Sequence, residues 1–95
     1  MIVVGAYDPN LGAFAFADPL FTQLNQAQQA AAATVRARLA DPFPVFNPQG
    51  DAATETAAIC TLTLLCTEGD GHPSDMGYRA LAGVVWAASG YASLW

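Results

Sequence analysis

"IVVGAYDPN", residues 2–10, decides the fold class of this chain. From Ile2 to Tyr7 no charged or amide side chain interrupts the run, and its front is β-branched. It closes on Asp8-Pro9-Asn10, a cluster of turn formers. A run without polar alternation suits a strand buried on both faces, as in a parallel sheet. A parallel partner needs a crossover, and the sequence downstream supplies one.

Residues 8–18 read as a loop in which Phe14 and Phe16 cover something apolar. The clearest helix is predicted over 19–40. Asp18 stands where an N-cap is wanted and Pro19 at the first helical position. Leu20, Leu24, Ala27, Ala31, Val35 and Leu39 fall near one face, with Gln23, Gln26, Arg36 and Arg38 able to point outward. Asp41-Pro42 stops it. "FPVFNPQGD", residues 43–51, reads as a second short strand, placed at an edge by Pro44. Residues 52–66 carry the cysteines on one or two helical turns, and 67–72 are loop. Ser74 then reads as an N-cap, with Asp75 in the first turn of a helix running to about Ser89. The order strand, helix, strand, helix is that of an α/β layer, here a single small domain over residues 1–95.

Composition narrows the function. The 95 residues are 54% hydrophobic, high for a free-standing domain of this size, so an apolar face is expected to meet a second copy, another part of a larger fold or a lipid-like ligand. There is no lysine; Arg36, Arg38 and Arg79 stand against six Asp and two Glu, for a net charge of −5. That balance repels phosphate backbones and argues against nucleic acid. No run of about 18 apolar residues exists to span a membrane. "MIVVGAYDPN" lacks the basic flank and small-residue cleavage site of a signal peptide. Cys60 and Cys66 are either two buried thiols or a short-loop disulfide of an exported protein. No cofactor is expected, and one cysteine pair with a distant His is too few ligands for a metal.

"GDGHPSDMGYRALAG", residues 69–83, holds the sole histidine. It resembles the last conserved block of the SGNH, or GDSL-type, serine hydrolases: an Asp and a His before a Pro, then a helix opening with Ser/Thr-Asp-x-Gly-Tyr. "VVGAYDPNLGAF" is similar to that family's late strand and following loop. "PLFTQLNQAQQAAAATVRARLADPFPVFNPQGD" is similar to its next helix–strand unit, and "ICTLTLLC" to the cysteine pair of exported actinobacterial-type members. The resemblance implies a truncated flavodoxin-like layer of short parallel strands with flanking helices, and a secreted parent. It implies that His72 is the general base and Asp70 its orienter, with Asp75 the fallback. A neutral imidazole can take a hydroxyl proton and return it to a leaving group, while a carboxylate on its other nitrogen fixes the tautomer.

The family's Gly-Asp-Ser nucleophile block and its Gly and Asn oxyanion donors have no counterpart in these 95 residues. A Gly-x-Ser-x-Gly elbow is absent too. Ser74 is the one serine beside His72, and serves as substitute nucleophile or as helix cap; a water activated by His72 is the other route. Ser89 and Ser93 are weaker candidates, and Asp51 after Gly50 reads as a turn residue. Phe14, Phe16, Phe43, Phe46, Trp86 and Trp95 form either an acyl pocket or core. The expected function is hydrolysis of short to medium acyl esters. The alternatives are a non-catalytic fragment that self-associates into a homo-oligomer, or a lipid-binding module.

Overall fold

The computed structural model describes residues 1–90, so Trp95 and the apolar tail after Gly90 lie outside the described residues. Strand β1, Ile2–Val4, pairs in parallel with β2, Arg38–Ala40, with Ile2 opposite Arg38 and Val4 opposite Ala40. The crossover is helix α1, Phe14–Thr34. A parallel unit is present as expected, but its second strand is 38–40, inside the predicted helix, rather than 43–51, and β1 is half-buried with Val4 exposed instead of covered on both faces. The Gly5 N–H still donates to the Ala40 carbonyl (2.8 Å); past it no neighbouring strand among the described residues continues the ladder, and two side-chain amides replace it. Asn25 of α1 accepts from the Ala6 N–H (2.8 Å) and donates to the Ala6 carbonyl (2.8 Å). Asn47 does the same for Asp8, at 2.7 and 2.8 Å. Buried backbone groups require partners, and these amides supply them. Gly5 leaves the room: a Cβ there would come within 2.8 Å of the Asn25 Oδ1.

Helix α1 starts five residues before Pro19, with Ala13 at its N-cap, and Asp18 caps nothing. Burial overrides the capping signal here. Phe14 packs with Phe46 and Ile59 in the core, and Asp18 turns inward on the same helix. Pro19 costs α1 one early hydrogen bond. The helix also ends six residues sooner than expected. The Ala37 N–H reaches the Ala32 carbonyl (2.9 Å) and the Arg36 N–H the Ala33 carbonyl (3.2 Å), the two bonds of a Schellman stop. Arg36 therefore sits at φ 57°, where a side chain is strained. Arg36→Gly is expected to raise unfolding stability by roughly 0.5–1 kcal/mol, read from urea midpoints at an unchanged m-value.

Residues 43–51 contain no strand. Phe43–Phe46 form a single helical turn, α2. The Asp41 carboxylate accepts from the Phe43 N–H (2.9 Å), and Pro42 and Pro44 hold φ values that open a helix but cannot donate to a ladder. Helix α3, Ala52–Leu62, starts at Asp51, whose carboxylate accepts from the Thr54 N–H (2.7 Å). There follow β3, Thr63–Leu64; α4, Leu65–Glu68; β4, Asp70–Pro73; and α5, Asp75–Ser89. β3 and β4 pair antiparallel, so the stretch read as loop is half strand. A Cys60–Cys66 disulfide ties α3 to α4 and settles the cysteine alternatives. Closing so short a loop is worth about 2 kcal/mol in the chain-entropy account.

The core is small. Phe14, Phe46 and Ile59 are its buried centre, with Tyr7, Leu62, Leu65 and Leu81 packed against them. Tyr7 stacks on Phe46, ring centroids 4.3 Å apart. Phe43 is buried as well, whereas Phe16 and Trp86 are exposed. Among the described residues no helix is long and apolar enough to cross a membrane.

Candidate functional site

Asp70 and His72 lie two residues apart on β4 and so face the same way. The imidazole Nδ1 lies 2.5 Å from the Asp70 Oδ1. The same oxygen accepts from the His72 backbone N–H at 3.0 Å. These two bonds hold the Asp70 carboxyl below the usual carboxylate range, the backbone one contributing most. With Nδ1 held by a carboxylate, the tautomer that leaves Nε2 free to accept a proton is favoured. The His72 side chain is 77% exposed and that of Asp70 46%.

What surrounds the pair is an open groove of about 340 Å³, lined by Tyr7, Pro9, Asp70, Gly71 and His72. Tyr7 links the β1 loop to β4 here: its hydroxyl donates to the Gly71 carbonyl at 2.5 Å. Burial raises the Tyr7 phenol above its ordinary value, and the nearby Tyr78 and Asp70 add to the shift. The β1 loop thus forms one wall and β4 the other.

Ser74 follows β4 at once and is the N-cap of α5. Its Oγ accepts from the Gly77 N–H (3.2 Å) and donates to the Thr61 carbonyl (2.8 Å). Its own N–H donates to the Leu62 carbonyl (2.9 Å). Both roles of the hydroxyl are taken by backbone. The Ser89 hydroxyl donates to the Trp86 carbonyl (2.6 Å) within α5. Asp75 lies in the first turn of α5, and Asp51 caps α3. Neither Asp75 nor Asp51 lines the groove. Of the aromatics named from the sequence for an acyl pocket, none of those described borders the groove; the aromatic that does is Tyr7.

The roles of Tyr7, Asn25 and Asn47 are not signalled in the sequence. Tyr7 closes an apolar run and carried no polar signal. Asn25 lies beside the apolar face of a helix among glutamines that can point outward, and Asn47 sits between prolines in a segment whose pattern suits a strand.

No protein-family model matches the chain, and no curated protein or solved structure matches it.

Proposed function

We propose that the chain corresponds to the C-terminal part of an SGNH-type hydrolase, a truncated flavodoxin-like layer, and that His72 with Asp70 serves as its acid–base pair for hydrolysis of short to medium acyl esters. The observation that carries this reading is the 2.5 Å contact between the His72 Nδ1 and the Asp70 carboxylate, with the imidazole open to a groove. His72 takes a proton on Nε2 from the attacking hydroxyl as oxygen bonds to the ester carbonyl carbon. It then returns that proton to the alkoxide oxygen as the ester C–O bond breaks, leaving acid and alcohol. Asp70 balances the transient imidazolium. Because the Ser74 hydroxyl already donates to Thr61 and accepts from Gly77, water is the nucleophile favoured over Ser74. Turnover of p-nitrophenyl butyrate by the chain beside His72→Ala tests the reading.

A second reading, a self-associating fragment, is favoured by a different observation. Phe16, Leu20 and Leu24 follow one another at four-residue spacing on α1 and are all exposed, Phe16 by 78%. The α/β layer also leaves a two-stranded sheet, a pairing marginal in water. In this reading the sedimentation coefficient rises with protein concentration, and Leu20→Glu returns it to the monomer value. A concentration-independent monomer rejects it.

A further inference from the structure

A second polar cluster lies outside the groove. Asp8 from the β1 loop, Asp18 from α1 and Glu55 from α3 are 0%, 7% and 5% exposed. Asn47 spans the Asp8 backbone and the Glu55 carboxylate, Gln49 joins the Asp18 carboxylate to the Asn47 carbonyl, and Asp18 and Glu55 border one cavity, so the three carboxyls form one buried cluster. One oxygen of each is served by neutral donors. The Asn10 N–H and side-chain amide donate to the Asp8 Oδ1 (2.9 and 2.6 Å), Gln49 to the Asp18 Oδ2 (3.2 Å) and Asn47 to the Glu55 Oε2 (3.0 Å). The other oxygens, Asp8 Oδ2 and Asp18 Oδ1, are buried and receive no N–H or hydroxyl donor among the described residues. Two carboxylates present only acceptors to each other, so a hydrogen bond between them requires a proton on one. Leaving both ionised would bury like charges side by side.

We propose that the buried carboxyls of Asp8 and Asp18 share a proton beside Glu55, and that this cluster locks the β1 loop, α1 and α3 together in acid and loosens their junction as pH rises. Among the described residues no Arg or His pairs with any of the three, and the three do not converge as a metal-holding group. The other acidic groups nearby stay charged or are engaged elsewhere. Asp51 borders the same cavity as Asp18 and Glu55, its carboxyl held below the ordinary range by Thr54. Asp41 accepts from Asn25 and from the Phe43 N–H, and the Tyr7 hydroxyl is turned away to Gly71.

The sign follows from the direction of the shifts. Burial raises both Asp8 and Asp18 above the ordinary 3.8. A group raised in the folded state contributes stability that is complete below its unfolded value and is lost as pH climbs through the folded one. The lock is therefore full below pH 3.8 and weakens above it. Tyr7 and Pro9 flank Asp8 in sequence and line the His72 groove, so the same loosening reaches that wall.

Side-chain carboxyl ¹³C shifts of the unmodified 95-residue chain, followed from pH 3 to 8, test this directly. Asp8 and Asp18 are expected to titrate above 3.8, each reporting the other's step; ordinary midpoints for both overturn the proposal. Melting temperatures across pH 4–8 give the second readout. The wild type is expected to lose several degrees as pH rises, and Asp18→Asn or Asp8→Asn to flatten that slope. Glu68→Gln, which removes an exposed charge, is expected to leave it unchanged. A slope equally flattened by Glu68→Gln means general charge repulsion and overturns the lock. So does a wild-type melting temperature at pH 7.5 that climbs with added Mg²⁺ or Ca²⁺, because a cation would then hold the cluster.

Discussion

His72→Ala is expected to lower kcat/KM for p-nitrophenyl butyrate by about 10²-fold or more, the usual worth of a positioned general base. The imidazole is exposed and packs against no core residue, so fold and melting temperature are expected to stay at the wild-type value. That separates chemistry from folding, which few substitutions in so small a core would do. Asp70→Asn keeps the size of the side chain but replaces a carboxylate acceptor. It leaves the imidazolium unbalanced and is expected to cost roughly 10-fold or more in the same measurement. Ser74→Ala distinguishes the nucleophiles. It removes a cap worth about 1 kcal/mol yet is expected to keep most of the turnover, assayed well below its melting temperature. Equal rates for wild type and His72→Ala would remove the acid–base reading altogether, and the exposed stripe on α1 would become the feature to follow.

The second large effect is on folding. Gly77→Ala is expected to destabilise the chain by about 3 kcal/mol, at the top of the usual range for overpacking. A Cβ at this position would run into the Leu62 carbonyl oxygen and crowd the Pro73 side chain. The obstacle is backbone, and that carbonyl already accepts the Ser74 N–H. Neither partner can step aside without breaking the junction of α3, β4 and α5. The damage should reach the His72 strand, because Ser74 ties it to the end of α3. Gly83→Ala is the matched control on the same helix. Among the described residues nothing lies within 4 Å of a Cβ there, so helix propensity decides and a gain of about 0.5–1 kcal/mol is expected. Urea denaturation of the two variants beside wild type reads both signs. A Gly77→Ala chain as stable as wild type would show that the α3–α5 contact can open enough to admit a methyl group.

Why the sequence showed some of this and hid the rest is visible in single residues. Ser74 and the helix behind it were legible because capping is local: a hydroxyl, three residues and a free N–H. The parallel partnership of residues 2–4 was legible from an apolar run bounded by turn residues. The partner itself was not. "ARLA" at 37–40 looks like the tail of a helix, and it becomes strand because the chain reverses at Arg36, a residue that carries no stop signal. Asp18-Pro19 misled in the opposite way. Its capping signal is sound, but burying Phe14 outweighs it, and the aspartate is used across the fold instead. The pairing of Asp70 with His72 needed no tertiary information, while the groove around them did. Tyr7 reaches Gly71 across 64 residues, a separation that local patterns do not encode.

The grip of one Asp70 oxygen on both the ring and the backbone N–H of His72 has a further meaning. The carboxylate is delivered to the imidazole through a tripeptide, so its effective concentration there is set by a handful of bonds rather than by the packing of the whole molecule. The pair is in that sense portable. Its internal geometry should survive insertions, exchanged neighbours or partial melting elsewhere, and what such changes would alter is only the company it keeps: the wall, the nucleophile and the substrate brought to it.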